Sequence, residues 1–287
     1  RRPFMQTAQT IIKHYRRKRV IVCVTVAILT LILTLGARFI SQRNVNQQRV
    51  LDFSSHTVRS LDNLLLSLEK RRSVFQQLVG QPCPQAHLAL RKQAAILQTV
   101  RSIALIKDGI LYCSSVFGSR NIPIRDFLPE LPACTPKLIL STGRWLMKGS
   151  PILIQWNAVS QDGEDGVIEI INIDLITRMI LEPERPLIDD VALSVGDRFL
   201  RYGQRVTDSL TFGKAGALVQ LSSPHNPFSI IVSGPGPGEL ALKTLPAQLP
   251  LALMLSLLLG YLAWLATANR MSFTWEIDMG IAAREFE

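Results

Sequence analysis

Two long apolar runs lie near the ends of the chain, and a patterned stretch of mixed polarity, 41–244, lies between them. The first run covers 20–36 and fades by 40. At 1.5 Å per residue, a helix over 20–40 matches a hydrocarbon core of about 30 Å with little to spare. The second run, 245–268, is rich in Leu and Ala, carries Tyr261 and Trp264 toward its end, and has no charge between Lys243 and Arg270. Pro246 and Pro250 are expected in its first turns, where a missing N–H is tolerated or a neighbour satisfies the backbone. Both runs read as transmembrane helices. A secretory signal peptide also opens on basic residues and an apolar core. Here no small-x-small cleavage site follows the first run, which continues Ala37-Arg38-Phe39-Ile40-Ser41.

Between the runs the period changes twice. Residues 41–79 read as a continuous helix, with Leu51, Val58 and Leu65 repeating at seven and Leu61, Leu68 and Phe75 doing the same. Two such seams fit a homodimer contact or an amphipathic helix lying on its own domain, and Ser54 and Arg72 interrupt the pattern. Gly80-Gln81-Pro82 ends it, and a second helix fits 85–99. Strands are then predicted over 102–107 and 110–116, flanking Asp108-Gly109, the two-residue signature of a tight hairpin. A second hairpin joins 152–159 to 166–173 through residues 161–165, and a short helix fits 175–181. Strands over 191–195, 198–202, 218–222 and 228–233 follow, and Gly234-Pro235-Gly236-Pro237-Gly238 breaks the chain before the second run. A long N-terminal helix followed by an antiparallel meander with inserted helices predicts an α+β domain. Its layout resembles extracytoplasmic PAS-like or Cache sensors, an analogy of fold that says little about ligand.

Charge adds an orientation. The net charge is +10, yet residues 1–40 alone hold eight Lys or Arg and no acid. A nucleic-acid reader would spread base over a folded face with aromatics to stack on. Here Arg16, Arg17, Lys18 and Arg19 abut the first apolar run, as a positive-inside flank does, so no nucleic-acid partner is expected. The resulting plan is a basic cytoplasmic N-terminus (1–19), a first span (20–40), an outside domain (41–244), a second span (245–268) and a cytoplasmic tail (269–287). The lipid bilayer is its first partner. Met5 has the look of a natural start, and the tail ends in mid-pattern at Glu285-Phe286-Glu287, as a chain cut short would.

Candidate chemistry is sparse. Cys23 lies in the first span and reads as packing. Cys83, Cys113 and Cys134 lie in the outside domain, where a bacterial periplasm would oxidise a suitable pair. Closing the loop from Cys83 to Cys113 would stabilise the fold by about 3–4 kcal/mol in the chain-entropy model and leave Cys134 odd, but the pairing of three candidates is not decidable from spacing. Ser114 and Ser115 lack the glycine elbow and nearby base of a nucleophile, so a paired strand is the simpler reading. His56, His87 and His225 stand singly, so no metal site is expected. Asp162, Glu164 and Asp165 read as a solvated hairpin tip without the ligand pattern of a calcium loop. No catalytic residue is assigned to the chain.

Tyr112-Cys113-Ser114-Ser115, with Cys83 upstream and a span on either side, resembles the CSS-motif sensor domains of enterobacteria, which stand before cyclic-di-GMP phosphodiesterases of the EAL family. The likeness extends to Gln93-Ala94-Ala95, to the stretch from Lys148-Gly149-Ser150-Pro151 to Gln155-Trp156, and to Ile171-Asn172-Ile173-Asp174-Leu175. The tail from Glu276-Ile277-Asp278 onward resembles the first helix of an EAL domain.

The resemblance implies that Cys113 pairs with Cys83, that periplasmic thiol-disulfide machinery acts on the pair, and that redox state or a ligand outside is transmitted through the spans. It implies a catalytic EAL barrel downstream, where Mg²⁺ or Mn²⁺ would activate water to open cyclic-di-GMP to pGpG. Those metal ligands do not occur in this chain, which has no cofactor of its own and would meet cyclic-di-GMP only through the EAL domain. Alternatives are a stand-alone membrane signal-binding module and the input domain of another output, such as a kinase or chemoreceptor. A reading frame that continues past Glu287 into an EAL domain separates these.

Overall fold

The computed structural model describes residues 2–142, 150–212 and 216–284. Lys148 and Gly149 of the CSS-like stretch, and Glu285-Phe286-Glu287 of the tail, lie outside the described residues. The chain divides into two units, residues up to 46 together with those from 237 on, and residues 47–236.

Within the first unit, helix α1 (Arg2–Glu69, which continues into the second unit) and helix α5 (Pro237–Arg284) run antiparallel. Ser256 Oγ donates to the Ala27 carbonyl (2.9 Å), and a Cβ built on Gly260 would come within 3.2 Å of the Ala27 Cβ. Ala252, Ser256 and Gly260 recur at four-residue spacing and are buried, so small side chains let the two backbones approach. Asn46 Nδ2 donates to the Pro237 carbonyl (3.3 Å) at one end, and Arg19 to the Trp264 carbonyl (2.8 Å) at the other, its guanidinium 3.9 Å from the centre of the indole. Thr25, Thr30 and Thr34 return their hydroxyls to carbonyls of their own helix. Ile28, Leu29, Ile32 and Leu33 on α1, and Leu251, Met254, Leu257 and Leu258 on α5, remain exposed. Both helices are long and apolar enough to cross a membrane. The helix carrying the second run begins at Pro237, earlier than the sequence suggests. Pro246 and Pro250 therefore sit inside it rather than in its first turns.

In the second unit the polar-apolar period of 41–79 holds, but the helix is not continuous. α1 ends at Glu69, and a short helix α2 (Arg72–Gln76) follows a break at Lys70-Arg71, where the Arg71 N–H turns to the Leu68 carbonyl. The seam Leu61, Leu68, Phe75 is buried within the chain, as are Val58 and Leu65, whereas Leu51 is exposed. The face that could have served a dimer is thus mostly used by the chain's own domain. Gly80, at φ +87°, closes the segment, and helix α3 (Cys83–Ile96) starts behind Pro82 with Pro84 in its first turn, where no N–H is needed.

Among the described residues the strands form two antiparallel sheets rather than one meander. The first has six strands: β1 (Val100–Lys107), β2 (Ile110–Ser114), β3 (Gly118–Pro123), β4 (Lys137–Ser141), β5 (Ile152–Ala158) and β6 (Gly166–Ile171), in the order β3-β2-β1-β6-β5-β4. Helix α4 (Ile173–Ile180) and a Pro-containing segment lead to the second: β7 (Asp190–Val195), β8 (Arg198–Arg201), β9 (Val206–Thr207), β10 (Ala217–Ser222) and β11 (Ser229–Ser233), in the order β10-β11-β7-β8-β9. Strand periodicity fixes which side chains share a face but not which strand lies alongside, and the β1–β6 pairing spans both hairpins. β3, β4 and β9 carry no signal of alternation; β3 reads Gly-Ser-Arg-Asn-Ile-Pro and is mostly exposed.

The β1–β2 turn takes positive φ at both central residues, 52° at Asp108 and 69° at Gly109, the type I′ geometry that the sheet's own twist favours. In the middle of the sheet, Ala104, Ile154, Trp156, Ile168 and Ile170 build a core with Ile124, Leu128 and Leu131. Gly166 is a packing requirement, since a Cβ there would stand 2.3 Å from the Trp156 ring. Alternation puts Ile103, Leu105, Gln155, Asn157 and Glu169 on the opposite face, toward α2 and α3.

Candidate functional site

The register of β1 against β2 shifts between Leu105 and Ile106, so that Cys113 faces Leu105, Leu111 faces Ile106, and Tyr112 is the extra residue of a bulge. A bulge re-aims side chains. Tyr112 and Cys113 both reach elements that precede the sheet. The Tyr112 hydroxyl donates to the Leu78 carbonyl (3.2 Å) and accepts from the Gly80 N–H (2.9 Å). Burial pushes the Tyr112 phenol up, Gly80 opposes that, and Asp165 adds to it. Cys113 is bonded to Cys83, with an S–S distance of 2.06 Å and Cα atoms 5.3 Å apart. Both cysteines are buried, so the bridge fastens the first residue of α3 to the second strand from inside the domain.

Ser114 and Ser115 are also buried, with Ser102 of β1 beside them. Ser102 Oγ lies 3.3 Å from Ser114 Oγ and 3.5 Å from Ser115 Oγ. The Ile103 N–H donates to Ser115 Oγ (3.0 Å) and the Val116 N–H to Ser114 Oγ (3.3 Å). His87 approaches the Ser114 main-chain oxygen (2.9 Å), so its ring does not serve the hydroxyl as a base. The motif is therefore a fastening: one sulfur to α3, hydroxyls across the β1–β2 edge. Cys134 is an exposed free thiol that donates to the Asp162 carbonyl (3.4 Å), and Cys23 is free on α1.

The 161–165 tip is less solvated than its sequence suggests. Asp165 accepts the Asp108 N–H (2.8 Å), tying the two hairpin ends together, and Glu164 pairs with Arg125 in the turn that follows β3 (3.1 Å). Asp162 is itself exposed, and the Ser160 hydroxyl beside it, with the Glu164 N–H, holds its carboxyl below the usual range.

Two polar constellations have no counterpart in the sequence reading. Beneath α2, Arg72 donates through Nε (2.9 Å) and a terminal nitrogen to Asn157 Oδ1, with Glu69 at 3.8 Å. Next to them the Glu169 carboxyl is buried without a hydrogen-bond partner on either oxygen, as are Gln155 Oε1 and Asn157 Nδ2. Burial raises the Glu169 carboxyl to about 8, against the pull of Arg72.

The second lies at the β10–β11 turn. Asp62 of α1 is buried and accepts from Ser223 Oγ (2.5 Å) and Asn226 Nδ2 (2.9 Å), with His225 Nδ1 at 3.5 Å. These residue types suggest a catalytic trio, but the serine proton goes to the carboxylate rather than to the imidazole. Ser223 Oγ in turn accepts the His225 and Asn226 N–H groups, so the arrangement is a clamp between α1 and the turn. Asp62→Ala is expected to cost about 2 kcal/mol, the loss of charge-assisted bonds at a buried site. Chemical denaturation of the full chain checks the magnitude, and faster amide exchange confined to 223–228 checks the place. Unchanged exchange there would show that the turn holds without the clamp.

Among the described residues no three His, Cys, Asp or Glu side chains gather as a metal-holding group.

A family model described as "CSS motif domain associated with EAL" matches residues 46–244, and the chain belongs to that family. Over 283 residues it is 56% identical to the Escherichia coli (strain K12) protein named "Probable cyclic di-GMP phosphodiesterase PdeD", covering 99% of this chain and 53% of that protein. A second E. coli relative, "Probable cyclic di-GMP phosphodiesterase PdeN", is 23% identical over 188 residues, 65% of this chain and 36% of its own length. The chain thus spans about half, or less, of the curated relatives it matches. Among solved structures, the sensor domain of the V. cholerae histidine kinase DctB is similar at 15% identity and a TM-score of 0.45, over 69% of this chain and 98% of that one. The ligand-binding domain of the Pseudomonas aeruginosa amino acid chemoreceptor PctC, solved with GABA, is similar at 10% identity and 0.44, over 66% and 99%.

Proposed function

We propose that this chain is the sensory and membrane-anchoring region of a membrane-bound cyclic-di-GMP phosphodiesterase, with 41–244 in the periplasm in a PAS/Cache-like layout and both ends in the cytoplasm. The observation that carries this reading is the 56% identity to PdeD along 99% of the chain, which accounts for 53% of that relative's length. Hydrolysis of cyclic-di-GMP to pGpG, and the Mg²⁺ or Mn²⁺ it uses, belong to an EAL domain outside these residues.

Several features support the parts of this reading. Apolar side chains exposed along α1 and α5 suit lipid, where a helix that satisfies its own backbone spans without penalty. The basic run Arg16 to Arg19 favours the cytoplasmic side for its end of α1. A buried Cys83–Cys113 bond suits an oxidising compartment and the thiol-disulfide machinery found there.

Regulation follows from what the bond constrains. α3 is fixed to β2 by the disulfide, the loop before it is held by Tyr112, and Arg71 at the break after α1 donates to Gln93 of α3 (2.9 Å). Breaking the bond loosens the start of α3 and alters what holds the end of α1. A signal is transmitted only so far as it favours one arrangement over the other.

The test is the pGpG formed by membranes carrying this chain ahead of its EAL domain, with Cys83→Ala and with Cys113→Ala. Both variants are expected to shift output in the same direction by about fivefold or more and to abolish its response to reductant. Wild-type output in both variants, with wild-type stability, refutes redox control.

A further inference from the structure

Glu169 faces the helices, so its neighbour Ile170 lies on the other face of the first sheet. There, where β1, β2 and β3 run side by side, a cleft of about 160 Å³ opens, floored by Ala104, Leu111, Ile122 and Ile170. Ser102 and Ser114 line it from the strands, and Phe117 and Arg120 stand at its edge.

The serine protons can be accounted for. Ser102, Ser114 and Ser115 carry three hydroxyl protons, and the contacts among them, 3.3 and 3.5 Å, use two. The outer oxygens of this row already accept main-chain N–H groups, from Val116 at Ser114 and from Ile103 at Ser115. One hydroxyl proton remains without an acceptor, and weakening the longer contact would release a second. Ser114 is the end of the row that lines the cleft, so running the row from Ser115 through Ser102 to Ser114 directs that proton into it. Arg120 is exposed, its guanidinium 5.5 Å from the Phe117 ring centre, and it gives one donor to the Ser119 carbonyl (3.4 Å). No acid is among the lining residues. The cleft therefore offers a neutral donor, a cationic donor and an apolar floor.

We infer that this cleft binds a small monocarboxylate with a short aliphatic body. The carboxylate meets the Ser114 hydroxyl and the Arg120 guanidinium, and the chain lies over Leu111, Ile122 and Ile170. The space corresponds to roughly five waters at their share of liquid volume, enough for about seven non-hydrogen atoms and far below a drug-sized pocket. This gives the first serine of the motif a role separate from the disulfide. It deepens the sensory reading by naming a ligand class, and rests on that reading for the use of the ligand, not for its binding.

The test is calorimetric titration of the full chain in lipid nanodiscs with pentanoate, beside pentan-1-ol and pentylamine. Pentanoate is expected to bind saturably at one site per chain, with the alcohol and the amine weaker by about tenfold or more, as loss of a charge-assisted bond implies. Arg120→Gln, at an exposed position that leaves the fold intact, is expected to weaken pentanoate to the same degree, and Ser114→Ala to weaken it several-fold. No saturable binding under conditions that would reveal a dissociation constant of about 1 mM overturns the inference. So does pentanoate binding that Arg120→Gln leaves unchanged, or equal affinity for pentan-1-ol. Because titration reads occupancy alone, failure here leaves the pGpG response to the cysteine variants standing, and failure of that response leaves this site standing.

Discussion

Removing the Cys83–Cys113 bond by the double substitution Cys83→Ala/Cys113→Ala is expected to lower the stability of the 47–236 unit by about 3–4 kcal/mol. The sequence separation of 30 residues sets the loop whose closure the unfolded chain is spared in the wild type. For a domain of this size the change corresponds to a fall in melting temperature of roughly 10 °C. Both half-cystines are buried, so small alanine side chains also leave unfilled space at the α3–β2 contact, which adds to the loss. Thermal melts of the full chain by circular dichroism, for wild type and double variant under identical conditions, read the difference. Cys134→Ala serves as the control, and its exposed thiol should leave the midpoint within about 2 °C. A double variant that melts with the wild type would show that the clasp adds nothing to what Tyr112 and the β1–β2 ladder already hold. Burial has a kinetic consequence too. A reductant reaches the sulfurs only when the first turn of α3 opens, so reduction rates should follow the opening of that turn. Their dependence on thiol concentration should level off once opening becomes limiting.

What the sequence made legible was local. Asp108-Gly109 specifies its own turn, and both residues take the left-handed backbone that the dipeptide favours. The buried face of α1 follows from spacing at three and four, and the short helix before Pro183 forms close to its expected place. The cysteine pairing was not legible from spacing; resemblance to a family singled out the two residues that the structure joins. The division into two sheets depends on partners far apart in the chain, about which a period of two says nothing. The clamp of Asp62 on Ser223 spans 161 residues, and the contact of Arg72 with Asn157 spans 85. Even so, each left a mark. Asp62 sits on the apolar face that carries Val58, Leu61 and Leu65, where a carboxylate needs a partner. Glu169 stands alone in Val167-Ile168-Glu169-Ile170-Ile171, a strand whose apolar flanks announce burial on both faces. An acid in such a run has no water to ionise into, and its charge state, rather than its partner, is the first thing the residue type decides.

Glu169→Gln is expected to make the protein more stable at neutral pH and to flatten its pH dependence. The carboxyl is raised from 4.5 to about 8 in the folded chain, chiefly by burial, with Arg72 pulling the other way. In the unfolded chain it titrates near 4.5, so between these values the folded state holds a proton that the unfolded state has released. Stability from this group is therefore greatest below pH 4.5, declines as pH rises, and levels off above pH 8. Measured from the fully protonated limit at low pH, the decline amounts to about 4 kcal/mol at pH 8, and about 3 kcal/mol of it has accrued by pH 7. Glutamine occupies the same space with no proton to take up. It stands opposite Gln155, whose Oε1 is buried without a partner and can accept from the new amide. Urea midpoints of wild type and Glu169→Gln at pH 5 and pH 8 give the comparison. The wild type should lose stability across that interval and the variant should lose much less, so their difference grows with pH. Equal slopes would place the Glu169 titration outside this range. A wild type that gains stability from pH 5 to pH 8 would mean that the ionised carboxylate draws Arg72 away from Asn157 into a direct ion pair, because only a new partner of opposite charge could reverse the sign of the slope set by burial.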